Sequence, residues 1–83
     1  MIYPTVHING TSRESLSKDY KDAYIAIRKA MDVLAKAGPH GRDYYPQGPE
    51  AILVAQTQHR EQMVRLESVA EELMQTLIHL TEE

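Results

Sequence analysis

The stretch PEAILVAQTQHREQMVRLESVAEELMQTLIHL, residues 49–80, decides the fold. Ile52, Gln56, His59, Met63, Leu66, Ala70, Leu73, Leu77 and Leu80 recur in it at alternating steps of four and three. That spacing keeps one stripe on one side of an α-helix and is the heptad seam of a helix packed lengthwise on another. A proline in the first turn loses no needed hydrogen bond, so the helix is expected to begin near Pro49, with Glu50 placed for the helix dipole. A helix of roughly 30 residues spans ~45 Å.

Working upstream, residues 38–49, GPHGRDYYPQGP, break the pattern with three glycines, three prolines and two adjacent tyrosines. Before them lies a second helical stretch. Leu16, Tyr20, Ala23, Tyr24, Ile27, Ala30, Met31, Leu34 and Ala37 share one face. Thr11-Ser12-Arg13-Glu14 reads as a capping box with Thr11 as the cap. Gly38 is expected to close this helix in a left-handed conformation, and Pro39 to stop its continuation. Arg28–Asp32 and Asp32–Lys36 are spaced for ion pairs along it. Residues 2–8 alternate in part and read as a short extended arm or strand ended by Asn9-Gly10.

The reading is therefore one all-α domain over residues 1–83. It has an extended arm at 1–10, a helix at 11–37, a loop at 38–48 and a helix at 49–80. The two helices form a long antiparallel hairpin. In it Ala30 and Leu34 lie beside Ile52, Gln56 and His59, and Leu16 and Tyr20 beside Leu73 and Leu77. With 83 residues the core is small, and Val69, Met74 and Ile78 extend the apolar face beyond what one partner helix covers. Self-association into a helical bundle follows, as a dimer or larger homo-oligomer, with the arm free to clip onto a neighbouring subunit.

Composition narrows the function classes. The net charge is −3 with no basic block, which argues against direct nucleic-acid binding. There is no cysteine, so disulfides and thiolate metal sites are excluded. No apolar run is long enough to span a membrane, and MIYPTVHING lacks a basic region followed by an apolar stretch. The expectation is a cytoplasmic protein. Asn9-Gly10-Thr11 matches the glycosylation pattern by chance on that reading. The four histidines His7, His40, His59 and His79 fit no metal spacing, although His40, Asp43 and His59 are candidates to meet in space. No nucleophile, base and orienting acid stand at a recognisable spacing. The reading is a non-enzymatic protein with no cofactor.

The loop is longer than a helical hairpin needs and rich in recognition groups. Arg42 suits phosphate or carboxylate. Tyr44 and Tyr45 offer rings for stacking, and His40 and Gln47 add donors and acceptors. Gln56 and His59 are the polar positions of the seam, close to the loop. Two readings stay open for each. Gln56 and His59 fix helix register or line the floor of a pocket roofed by the loop. Arg42 and the tyrosines close the end of the bundle or hold a ligand.

The segments HINGTS, GRDYYPQG and HREQMVRLESVAEEL resemble small uncharacterised proteins of tailed phages and prophages of Gram-negative bacteria. That resemblance implies a phage or prophage origin more than a mechanism, and the expected location is the host bacterial cytoplasm. Pro39-His40-Gly41-Arg42-Asp43 is similar to the turn of the helical hairpin in phage sponge proteins that blunt the CBASS and Thoeris defence systems. That resemblance implies an oligomer sequestering a small phosphorylated, nucleotide-type signal, with Arg42 as the position carried across. The second helix starts later here than in those hairpins. Two other functions remain open. One is an inhibitor or adaptor of a host defence protein, in the manner of anti-CRISPR proteins, using acidic helix faces (Glu67, Glu71, Glu72, Glu82, Glu83) or the loop. The other is a structural bundle component of the phage.

Overall fold

A computed structural model describes residues 1–82. Two helices fill most of it, α1 over Arg13–Lys36 and α2 over Ala51–Glu82. They pack side by side as an antiparallel hairpin, a rod of 60 × 20 × 18 Å. Both helices present a heptad seam. On α1 the half-buried positions Tyr20, Tyr24, Ile27, Met31 and Leu34 follow steps of four and three, and every predicted seam position of α2 is half-buried or buried. Ala23, Ala30 and Ala37 lie on the exposed flank of the α1 stripe.

The local signals resolve differently from the sequence reading in several places. The cap of α1 is Ser12, one residue after Thr11, and its Oγ accepts from the Ser15 amide at 3.2 Å. Adjacent hydroxyls compete for this position, and the one in extended backbone just ahead of the first turn takes it. Gly38 does not adopt a left-handed conformation; α1 ends on Ala37 at φ −92°, and its amide donates to the Leu34 carbonyl. The positive-φ glycine is Gly48, at φ 108°. It turns the loop into α2, whose first regular residue, Ala51, follows Pro49 and Glu50. The Glu50 carbonyl accepts from the Leu53 and Val54 amides, which makes Glu50 the cap.

Arg28 reaches across the hairpin instead of along α1. Its Nη1 donates to Glu67 Oε2 at 2.6 Å and its guanidinium lies 5.8 Å from the Tyr24 ring centroid. This pair fixes the register, with position 28 opposite position 67. Counting outward, Arg13 falls opposite the end of α2, and Lys36 opposite His59. The proximity of Gly38 to His59, whose Nε2 lies 3.8 Å from where a Cβ would stand, agrees with this register. The helices are flush at one end and staggered at the other. α2 has 32 residues against 24 in α1. Its first two turns, residues 51–58, extend ~12 Å past the end of α1.

At the flush end the N-terminal arm folds back on its own chain. Tyr3 stacks on His79 with ring centroids 4.6 Å apart and 14° between planes. Met1 and Tyr3 border a shallow cleft with Ser68, Glu71, Glu72 and Gln75. The arm thus reaches α2 of its own chain, and it is irregular rather than a strand. Leu80 and Ala70 are completely buried on α2, and Thr76 nearly so, its Oγ1 donating to the Glu72 carbonyl at 3.1 Å.

Candidate functional site

The stagger decides what the loop does. The overhanging turns of α2 have no α1 beside them, and residues 38–50 fold back to cover them. The segment does so in two single 3-10 turns, Gly41–Asp43 and Tyr45–Gln47. Amide-to-carbonyl bonds from Asp43 to His40, Tyr44 to Gly41, Gln47 to Tyr44 and Gly48 to Tyr45 hold them. This is an ordered, self-bonded segment, stiffened by Pro39, Pro46 and Pro49. Tyr44 is half-buried between the two turns, whereas Tyr45 points outward, 75% exposed.

Between the loop and the overhang lies an open cleft of about 520 Å3. Its apolar wall comes from Leu34, Ala37, Pro39, Ala51, Val54 and Ala55. Its polar groups are Tyr44, Gln47, Gln58, His59 and Gln62. None of these carries a fixed charge. They offer a phenol, an imidazole and three carboxamides, each of which both donates and accepts hydrogen bonds. Gln58 and His59 stand four and three residues before Gln62, so both neighbour it on the surface of α2. Gly38 sits beside the His59 ring at the junction with α1.

Of the seven residues singled out from the sequence, the cleft brings together Tyr44, Gln47 and His59. His40, Arg42 and Tyr45 are exposed on the loop outside its lining, and Gln56 is half-buried in the seam, outside the cleft. Among the described residues Arg42 makes neither an ion pair nor a side-chain hydrogen bond. Gln58 and Gln62 escaped the sequence reading because they lie off the seam. The signal for them was the run Ala55, Gln58, His59, Gln62, which places two amides on the flank that the loop covers.

Electrostatics is concentrated elsewhere. Among the described residues the ion pairs are Lys18–Asp22, at 2.7 Å, and Arg28–Glu67. The hydrogen bond to Glu67, then the charge of that carboxylate, raises the Arg28 guanidinium above its ordinary range. The hydrogen bond to Asp22 and its charge do the same for Lys18. Glu67 is therefore engaged within the chain. Glu71, Glu72 and Glu82 are exposed, and Glu83 lies outside the described residues. Among the described residues no three acidic or histidine side chains gather where a metal ion would sit, and His40, Asp43 and His59 form no such group. No helix among them is long and apolar enough to cross a membrane.

Compared with protein-family models, with curated proteins and with solved structures, the chain finds no match.

Proposed function

We propose that the protein is a non-enzymatic binding protein that sequesters a small nucleotide-type ligand at the loop end of its hairpin. The observation that carries this reading is the convergence of Tyr44, Gln47, Gln58, His59 and Gln62 on one cleft beneath a stiff loop. Carboxamides pair with the donor–acceptor edges of a nucleobase, and a half-buried tyrosine supplies a stacking face. A lining without fixed charge suits the base rather than the phosphate. Arg42, two residues before Tyr44 and without a partner in the chain, is the group for a phosphate at the rim. A preformed loop lowers the ordering cost of binding. In a prophage, the origin the sequence resemblance implies, such a protein withdraws a nucleotide signal from host defence and needs no catalytic machinery.

The test is titration calorimetry of the full chain with adenosine, ADP-ribose and a cyclic dinucleotide. The parent protein binds at least one of them. Gln58→Ala with Gln62→Ala weakens binding of base and nucleotide alike, whereas Arg42→Ala weakens binding of the phosphorylated forms alone. Absence of heat with all three probes, or unchanged affinity in the double glutamine variant, overturns the reading.

A further inference from the structure

The chain exposes more surface than its mass warrants. Its accessible area is 6257 Å2, while a compact monomer of 9.5 kDa exposes about 5,000 Å2. The excess, roughly 1,200 Å2, exceeds the ~800 Å2 that each partner contributes to a standard stable interface. The hairpin is thus one layer thick and lacks the second layer that a helical domain ordinarily supplies.

Part of the exposed apolar surface is gathered on one flank. On the side of α2 away from the loop cleft, a second stripe runs beside the seam. It holds Leu53 (62% exposed), Val64 (68%) and Ile78 (38%), with Thr57, Arg60, Glu67, Glu71 and Met74 between them at steps of three and four. Across from its C-terminal half, Tyr24 and Ile25 of α1 and Met74 and Leu77 of α2 line an open, largely apolar groove of about 920 Å3.

The order of residues in this stripe is self-complementary. Turned end for end about an axis near residues 65 and 66, Leu53 falls opposite Ile78, Thr57 opposite Met74 and Arg60 opposite Glu71. Val64 falls opposite Glu67, three residues from its own copy across the axis. Arg60 donates to Thr57 Oγ1 at 3.2 Å, which holds it along the stripe, and among the described residues neither Arg60 nor Glu71 has an ion pair. A face whose apolar ends match each other, and whose cation and anion match across a two-fold axis, has the form of an isologous interface.

We propose that this face binds a second copy of the chain, α2 against α2 in antiparallel register, to form a four-helix bundle. Leu53 of each copy enters the groove beside Met74 and Ile78 of the other. Two Arg60–Glu71 pairs flank the centre and set the register, since a shift by one heptad separates them. The inference does not depend on the loop cleft, which lies on the other flank.

Sedimentation equilibrium on the full chain tests it, with circular dichroism to confirm that each variant is folded. The parent is a dimer at twice 9.5 kDa. Val64→Glu, which sets a second carboxylate against Glu67 of the other copy, gives a folded monomer. Arg60→Glu weakens the dimer by about tenfold or more, and adding Glu71→Arg restores it to within about threefold, because the pair is only reversed. A monomeric parent at ~100 μM, the micromolar range in which weak interfaces of this size associate, overturns the proposal. So does a dimer that survives Val64→Glu, or one that the reversed pair fails to restore. A parent monomer that captures a different acidic and basic helix counts against it equally.

Discussion

Gly48 and Gly41 sit seven residues apart in the same loop, yet adding one methyl group to each has opposite consequences. Gly48 has φ 108° and ψ 164°, a region that side chains bearing a Cβ rarely occupy. An alanine there meets no atom within 4 Å, so its whole penalty is backbone strain. Such strain costs about 1–3 kcal/mol. Gly41 has a negative φ within its 3-10 turn and also has open space around it. Alanine there restricts the unfolded chain and stabilises the fold by about 0.4–1 kcal/mol. In a domain of this size 1 kcal/mol moves the melting midpoint by about 4–8 °C. Gly48→Ala therefore melts roughly 5–20 °C below the parent and Gly41→Ala a few degrees above it, by the same conversion. The assay is thermal unfolding by circular dichroism at 222 nm (a standard helix wavelength), with all three proteins at one concentration. The cleft adds a second readout. Gly48 sets the angle at which the loop meets α2, so its alanine variant displaces Tyr44 and Gln47 and loses ligand, while Gly41→Ala retains it. Equal melting of the two variants refutes the reasoning, because it means that the loop turn is not held at Gly48.

Leu80 is fully buried near the end of α2, and Leu80→Ala is expected to cost about 2–5 kcal/mol in urea unfolding. A loss below about 1 kcal/mol shows that the helix end and arm are not packed as described. The Lys18–Asp22 pair gives a pH dependence whose sign is fixed. The folded pKa of Lys18 is raised above its ordinary 10.5, so the pair's contribution is complete below that pH and is lost as pH rises through the folded value. The melting difference between the parent and Asp22→Asn is thus flat from pH 7 to about 10 and shrinks above it; a difference that grows at alkaline pH contradicts the pairing.

The hairpin was legible because two heptad seams name both helices and the side each buries. Steps of four and three from Ile52 to Leu80 survive in the structure without interruption. The stagger was not legible. It shows in Arg28 meeting Glu67 rather than Asp32: local spacing favours Asp32, while only the register of two packed helices brings Glu67 within reach. From that register, and from the end of α1 before Gly38 and Pro39, the rest follows: which part of α2 is left uncovered, and why the seam there tolerates Gln56 and His59. The path of the arm was hidden for the same reason. Tyr3 and His79 come from opposite ends of the chain, and their stacking needs the flush end of the hairpin to exist first. Caps were ambiguous where two suitable residues compete, as Thr11 and Ser12 do.

The unequal helices explain the loop better than turn chemistry does. A hairpin of equal helices closes with a few residues, and its seam stays apolar to the end. Here α2 outruns α1 by two turns, and a short turn would leave those turns bare. The thirteen intervening residues span the end of α1, fold down over the overhang and enclose a cleft, so loop length and site share one origin. If two copies pair through the opposite flank in antiparallel register, their loop ends point to opposite ends of the bundle, the two starts of α2 lying ~44 Å apart at the helical rise. Each cleft is then complete within one chain, and nothing passes between them but two straight helices. Ligand binding is accordingly one per chain and non-cooperative, since no element with two arrangements links the clefts. A ligand held between subunits would instead bind with half that stoichiometry and vanish with Val64→Glu. The stoichiometry of the parent and the affinity of the monomeric variant therefore separate the two ways of using this hairpin.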